Sequence, residues 1–157
     1  MTGFARKTML AITGLATLGA LDSAISLERH FSATRSSYCD LGANFSCDLV
    51  NRSTYSTIFG IPVAAAGILG YLALLALATL YQKKAETPAM LVIASLAGLG
   101  FSLYLTYVEA FILATWCILC LGSLILIFAI AMLSSGLLVH NRRQRKPHGM
   151  RHFERTS

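Results

Sequence analysis

The sequence predicts an all-α integral membrane protein, a four-helix bundle with a long extracytoplasmic loop between helices 1 and 2. Three observations lead to this fold class. The 157 residues are 55% hydrophobic and only 13% charged, which is too apolar for an ordinary soluble domain. Four segments reach the roughly 20 mostly apolar residues that a helix needs to cross a bilayer. The Lys and Arg residues lie mainly in short flanks between these segments, as in membrane proteins oriented by their loops.

The lengths of the apolar runs define the four predicted helices. They span residues 8–27, 58–81, 88–114 and 117–139. The first run resembles a signal peptide because Arg6 and Lys7 precede it. However, it is longer than the apolar region of a typical signal peptide and carries Asp22 near its far end. We therefore expect a retained helix. Residues 1–139 then form the membrane domain, and residues 140–157 form a basic cytoplasmic tail that is attracted to anionic membrane lipid.

The distribution of basic residues predicts the orientation in the membrane. One set of helix ends is rich in Lys and Arg, and such ends stay in the cytoplasm. This set comprises Arg6, Lys7, Lys83, Lys84, Arg142, Arg143, Arg145, Lys146, Arg151 and Arg155. Both termini are then cytoplasmic, while residues 28–57 and the turn at Thr115 and Trp116 face the opposite side. We expect no nucleic-acid partner despite the net charge of +6, because no basic surface with interleaved aromatic residues is visible.

The cysteines are the residues with the clearest chemistry. They are Cys39, Cys47, Cys117 and Cys120, and the topology places all four on the side where disulfides form. Cys117 and Cys120 lie three residues apart at the predicted start of a helix, which puts both side chains on one face. A disulfide between them closes a very small loop and stabilises the fold little, so a redox role is favoured. The helix amino end also stabilises the reactive thiolate.

Other uses of the cysteines stay open at this level. Four thiols allow three disulfide pairings, and structural disulfides in the outer loop of a scaffold protein are one alternative. Another is a metal-handling protein in which the four thiolates bind zinc. A c-type haem site is not expected, because Leu121 rather than His follows Cys120. Cys39 and Cys47 are separated by seven residues, among them Gly42 and Asn44, so we expect this segment to be flexible. A mobile dithiol beside a membrane-embedded one suits electron relay through mixed disulfides, so we prefer a reading without a metal.

Several motifs occur together along the chain: Cys39-Asp40, Ser46-Cys47, Val50, Ser53, Phe59-Gly60, Tyr104 and Trp116-Cys117-Ile118-Leu119-Cys120. Together they resemble the vitamin K epoxide reductase family, in its bacterial disulfide-forming branch. The resemblance implies a thiol–quinone oxidoreductase, an enzyme whose four helices surround ubiquinone, menaquinone or vitamin K. It also implies that Cys39 meets the thiol partner, that Cys47 passes electrons to Cys117, and that Cys120 faces the quinone. Because the chain ends before any fused thioredoxin-like domain, the implied partner is a separate thioredoxin-fold protein that acts in trans.

The candidate quinone-contacting positions are Ser53, Ser56, Phe59, Tyr104 and Leu124. Phe59, Ile61, Tyr104, Tyr107 and Leu124 are candidates because an apolar pocket has to admit the ring, although aromatic residues in membrane helices also serve as packing or interfacial anchors. Ser53 matches the family's supporting loop serine or threonine. Ser56 and Leu124 stand where the vertebrate enzymes present an asparagine and a tyrosine, so epoxide reduction is not expected. Glu109 and Asp22 are intramembrane acids, which are either functional groups or interfacial charges.

The cellular membrane is predicted from weaker signals. Gly60-Ile61-Pro62 and the compact loop favour a bacterial inner membrane, with the active site facing the periplasm. The alternative is a vitamin K epoxide or quinone reductase of the ER membrane, because the loop contains the sequons Asn44-Phe45-Ser46 and Asn51-Arg52-Ser53. Such sequons also arise by chance.

Overall fold

The chain folds into a bundle of long helices with a short structured segment over one end. A computed structural model describes residues 3–32, 45–58, 60–80 and 86–153, with the backbone alone at 58 and 145–153. The elements are α1 (Gly3–Phe31), α2 (Cys47–Arg52), a 3₁₀ turn (Thr54–Ser56), β1 (Thr57–Ile58), β2 (Ile61–Pro62), α3 (Val63–Leu80), α4 (Thr87–Val108), a π-helix (Glu109–Leu113) and α5 (Ile118–Phe153).

Four of the helices are long and apolar enough to cross a membrane. The candidate spans are Gly3–Phe31, Val63–Leu80, Thr87–Leu113 and Ile118–Gln144. Helices suit a bilayer because they satisfy their backbone hydrogen bonds internally, where no water is available to do so. The predicted all-α class of multi-pass membrane protein is therefore confirmed.

The bundle is held together by α1, which packs against both α3 and α5, and by α4, which packs against α5 and α3. Its core includes Ile12, Leu91, Ile130 and Leu137, all almost fully buried. Lipid tails are as apolar as leucine, so close packing and hydrogen bonds between helices have to replace the hydrophobic effect.

Helices α1 and α3 approach each other closely at Gly19. Gly19 of α1 is buried directly beneath the ring of Tyr71 of α3, and a Cβ atom at Gly19 would overlap that ring. The Tyr71 hydroxyl donates a hydrogen bond of 3.0 Å to the carbonyl oxygen of Ser123 in α5. One tyrosine thus links three of the four membrane helices.

The second membrane helix begins later than the predicted 58–81. The residues at the start of the predicted span instead form an antiparallel hairpin, in which Thr57 pairs with Pro62 and Ile58 with Ile61. Gly60 has a φ of 80° in the turn, a conformation that glycine adopts without steric cost. Pro62 favours an extended residue before it and has no N–H to donate, so α3 starts immediately after it.

The last helix is longer than the predicted 117–139, because α5 continues to Phe153. The residues after the apolar part, among them Arg142, Arg143 and Gln144, are exposed and have high helix propensity. The predicted basic tail is thus a helical extension of α5 through Phe153. Its cytoplasmic placement stays a prediction.

The contact at Gly19 generates a stability prediction. We expect Gly19→Ala to lower the free energy of unfolding by about 1–3 kcal/mol, because the added methyl must displace the Tyr71 ring. The control is Gly14→Ala in the same helix, where a Cβ meets no atom within 4 Å. Thermal unfolding of detergent-solubilised protein measures both, and equal melting temperatures for the two variants would contradict the packing described.

Candidate active site

The Cys117/Cys120 pair lies at the amino end of α5, as the sequence predicts. Cys117 is the residue before the helix and is fully buried, whereas Cys120 lies in the first turn and is partly exposed. The Cys120 backbone N–H donates to the Cys117 Sγ, with N and S 3.4 Å apart. Cys117 therefore occupies the place of a helix-capping side chain, where unpaired N–H groups stabilise negative charge. Both cysteines are free thiols in this structure.

A backbone bridge brings the outer segment against this helix start. Phe45 and Trp116 form a parallel bridge, and the Ser46 N–H donates to the Trp116 carbonyl oxygen over 3.1 Å. Cys47 follows Ser46 directly, just as Cys117 follows Trp116. Both cysteines are fully buried in one small apolar cluster, with Cys120 packed against it.

The loop cysteines differ in what can be said of them. Cys47 opens α2, whose cap is Ser46, and it is disulfide-bonded. Cys39 lies outside the described residues, so its predicted contact with a thiol partner stays a prediction. The four-thiolate zinc site considered above needs Cys47 as a thiolate, which a disulfide-bonded cysteine does not offer.

A distortion in the third membrane helix places an acid beside the dithiol. The π-helix Glu109–Leu113 ends at Ala114, which has a left-handed φ of 48°. Both π-turns and positive φ values at residues other than glycine are concentrated at functional sites. The Glu109 side chain is only 2% exposed, and its Oε2 accepts a hydrogen bond of 3.0 Å from the Cys117 backbone N–H. Its Oε1 is buried with no hydrogen-bond partner among the described residues.

Glu109, Cys117 and Cys120 form a compact donor set. One carboxylate oxygen and the two Sγ atoms lie within 4.8 Å of one another. Such a set could hold a zinc ion by three ligands. Equally, it places a carboxylate next to two thiols, which is the arrangement needed to move thiol protons.

A cavity of about 190 Å³ opens beside the Cys120 side of this set. Residues of all four membrane helices and of α2 line it. The small residues include Ala64, Gly67, Gly70, Ala94 and Gly98, the apolar ones include Phe101, Leu105 and Ile127, and the polar ones include Asp22, Asn51, Ser53, Ser56, Tyr71 and Ser123. Glu109 and Cys120 also line it, whereas Cys117 does not. Apolar walls with a few converging polar groups are typical of a small-molecule site.

The predicted quinone-contacting positions are not all found together. Ser53 and Ser56 line the cavity, and Phe59 lies outside the described residues. Tyr104 is 53% exposed on the outside of α4, and neither it nor Leu124 is among the described lining residues. The face of α4 that lines the cavity carries Phe101 and Leu105, one helical turn apart, and α5 contributes Ser123 and Ile127.

The sequence also left several site residues unassigned. Tyr71 and Ser123 were not considered, although polar residues in apolar runs are a signal for function. Asn51 was considered only as part of a sequon. Its Oδ1 accepts a hydrogen bond of 2.7 Å from the Ser26 hydroxyl, and its carbonyl oxygen contacts the His30 ring. These contacts attach α2 to the end of α1.

Four membrane helices around a cavity and a dithiol define this chain as an integral membrane oxidoreductase. The model of the vitamin K epoxide reductase family matches residues 10–135, and the chain belongs to that family. The resemblance seen in the cysteine motifs is thereby confirmed. The matched range includes α2, the hairpin and the whole Cys117/Cys120 site.

The burial of the two free thiols generates a labelling prediction. With no prior reduction, we expect a maleimide to modify Cys120 before Cys117, because only Cys120 reaches an open surface, and to leave Cys47 unmodified. Mass spectrometry of proteolytic fragments measures each site. The denatured and reduced protein, in which all sites should react, is the control; early modification of Cys117 would contradict the described geometry.

Proposed function

We propose that this chain is a membrane thiol–quinone oxidoreductase that supports disulfide bond formation. Electrons pass from a thioredoxin-fold partner to the loop cysteines Cys39 and Cys47, then to Cys117 and Cys120, and finally to a quinone. The observation that carries the proposal is the position of Cys47, buried against Cys117 on one side of a dithiol whose other side lines a cavity.

The burial of Cys47 and Cys117 in one apolar cluster supports the relay. Thiol–disulfide exchange proceeds through a mixed disulfide, so the two sulfur atoms have to meet directly. The bridge between Phe45 and Trp116 holds the chain segments carrying these cysteines side by side. A large rearrangement of the site is therefore not required for electrons to enter the dithiol from α2.

The cavity supports the final acceptor. A quinone head group is a flat apolar ring with two carbonyl oxygens, and it accepts two electrons and two protons when it is reduced. The cavity offers apolar walls from Leu105 and Ile127, hydroxyl groups from Ser53 and Ser56, and the thiol of Cys120. These residues fit such a ring in chemistry, with one sulfur at the cavity surface and the other screened behind it.

The relay can be written with this chain's own cysteines. A thiolate of the partner attacks a disulfide between Cys39 and Cys47, and the released Cys47 thiolate attacks Cys117 in an oxidised Cys117–Cys120 pair. This frees Cys120 as a thiolate at the cavity. The second thiol of the partner then attacks the mixed disulfide between the partner and Cys39, which leaves the partner oxidised, and the freed Cys39 thiolate attacks Cys47, which reforms the loop disulfide and releases Cys117. The described state, with Cys47 disulfide-bonded and both C-x-x-C thiols free, corresponds to this point of the cycle.

For location we propose a bacterial inner membrane, with both termini cytoplasmic and the dithiol facing the periplasm. In support, the Phe4 and His140 rings lie 5.0 Å apart, so the start of α1 and the basic end of α5 meet at one end of the bundle. One of the two sequons that support the ER alternative has a buried asparagine, because Asn51 is 6% exposed and hydrogen-bonded. A buried side chain of this kind does not accept a glycan.

Replacement of Cys120 tests the relay. We expect Cys120→Ala to abolish quinone reduction, because no thiol among the described residues then lines the cavity. In this variant a mixed disulfide between Cys47 and Cys117 forms only by attack of the Cys117 thiolate on the loop disulfide, which releases Cys39 as a thiol, so we expect it in protein that has not been exposed to a dithiol donor. Turnover is followed by quinone absorbance, and the mixed disulfide by mass spectrometry of non-reduced fragments.

A matched control is Ser135→Ala in the same helix, where the hydroxyl only bonds back to the Ala131 carbonyl oxygen. This variant should turn over like the wild type. Full quinone reduction by Cys120→Ala would refute the assignment of Cys120.

Filling the cavity tests the quinone site independently of the sulfur chemistry. Gly70 lines the cavity, and a Cβ there meets no atom within 4 Å, so Gly70→Leu should place its side chain in the cavity without disturbing the helices. We expect the KM for the quinone to rise about tenfold, equivalent to about 1.4 kcal/mol of binding free energy. Gly14→Leu, on an exposed part of α1, is the control, and an unchanged KM for Gly70→Leu would argue against this cavity as the site.

A further inference from the structure

We propose that Glu109 is the proton acceptor for the Cys120 thiol and the group that returns this proton to the quinone. The proposal rests on the proposed function above and adds a residue to it. Neither the cysteine motifs nor the quinone-contacting positions taken from the family resemblance assign any role to Glu109.

The position of the carboxylate carries the inference. The Cys117 N–H fixes Oε2 at 3.0 Å, and this leaves Oε1 buried and without a hydrogen-bond partner among the described residues. A carboxylate oxygen lies within 4.8 Å of the Sγ atoms of both Cys117 and Cys120. Glu109 also lines the cavity together with Cys120. Glu109 is thus close both to the two thiols that lose protons and to the cavity in which the quinone accepts them.

A purely structural role accounts poorly for this acid. An amide or a hydroxyl could also accept the single hydrogen bond from the Cys117 N–H, without the cost of a carboxylate in a membrane helix. Among the described residues, no ion pair involves Glu109, so no cation in direct contact offsets its charge. A buried acid with a free oxygen next to a nucleophile is the arrangement of a general base.

The proton and electron balance then closes. The Cys120 S–H proton passes to Glu109, and the electron pair of the Cys120 thiolate is available to the quinone. Cys117 loses its proton in turn and its sulfur bonds to Cys120, so two thiols become one disulfide and give up two electrons and two protons. Both protons end on the quinone oxygens, which makes a quinol. Glu109 passes them one at a time and finishes unprotonated.

Other titratable groups surround the same space and enter the design of the test. Asp22 of α1, Tyr55 of the 3₁₀ turn and Tyr71 of α3 line the cavity, and the buried Asp48 lies on α2. Glu109 differs from these four groups because it also lies within 4.8 Å of both sulfur atoms.

The test uses Glu109→Gln, whose amide oxygen still accepts from the Cys117 N–H but takes no proton. In reduced protein without quinone, the alkylation rate of Cys120 is measured against pH by mass spectrometry. In the wild type we expect a nearly flat rate across neutral pH, because the proton moves between two groups of the protein. In Glu109→Gln the rate should rise about tenfold per pH unit, as for a thiol that ionises to solvent. Glu109→Asp should restore the flat profile.

Turnover gives the second measurement. With a quinone and a dithiol donor, kcat of Glu109→Gln should fall about 10²-fold to 10⁴-fold, with KM changed far less. Glu28→Gln, at an exposed acid on α1, should behave like the wild type in both assays.

Each result decides the proposal. A wild-type alkylation rate that rises with pH overturns it even if the variant does not fold. Matching profiles and turnover for Glu109→Gln and the wild type also overturn it, and leave the relay through Cys120 intact. If the wild type reduces no quinone, the proposed function is wrong. The alkylation profiles, which are measured without quinone, still test whether Glu109 accepts the Cys120 proton.

Discussion

The site depends on a backbone contact between two chain segments that are far apart in sequence. The Ser46 N–H bonds to the Trp116 carbonyl oxygen, next to the bridge from Phe45 to Trp116. Each of these segments continues directly into a buried cysteine. Because the contact is made by the backbone, it aligns Cys47 with Cys117 regardless of how their side chains move. Without it, the first loop would have no defined register against α5.

The membrane explains why so few polar groups are present and why each is informative. Inside a bilayer an unpaired polar group is expensive, so those that remain are hydrogen-bonded or serve a function. The Tyr71 hydroxyl donates a hydrogen bond to α5, and the side-chain oxygen of Asn51 accepts one from α1. Glu109 is one of several buried groups with a polar atom that has no hydrogen-bond partner among the described residues, and it is the one that lies within 4.8 Å of both sulfur atoms of the C-x-x-C pair. The π-helix is the local distortion that brings this acid to the helix end.

Some of the site could be predicted because it follows from local pattern. The Cys117/Cys120 spacing at a helix start requires no knowledge of the fold. Ser53 and Ser56, which came from the family resemblance and not from local pattern, line the cavity as well. Tyr104 could not be judged in the same way, since a membrane helix is apolar on every side and its sequence does not reveal which side faces lipid. The start of α3 was misplaced by five residues, because Ile58 is as apolar as a helix residue while Gly60 and Pro62 impose a hairpin.

The sequence by itself determined the membrane class, the four spans, the dithiol and the family, because these depend on composition, length and spacing along the chain. The family resemblance implied roles for Cys47, Cys117 and Cys120, but only the tertiary structure decided that Cys47 is buried in one cluster with Cys117, which residues line the cavity with Cys120, and that Glu109 lies beside the dithiol. Those facts depend on which faces of separate helices meet. Helix rotation and the π-turn set these contacts, and neither is encoded in the hydropathy pattern from which the spans were read.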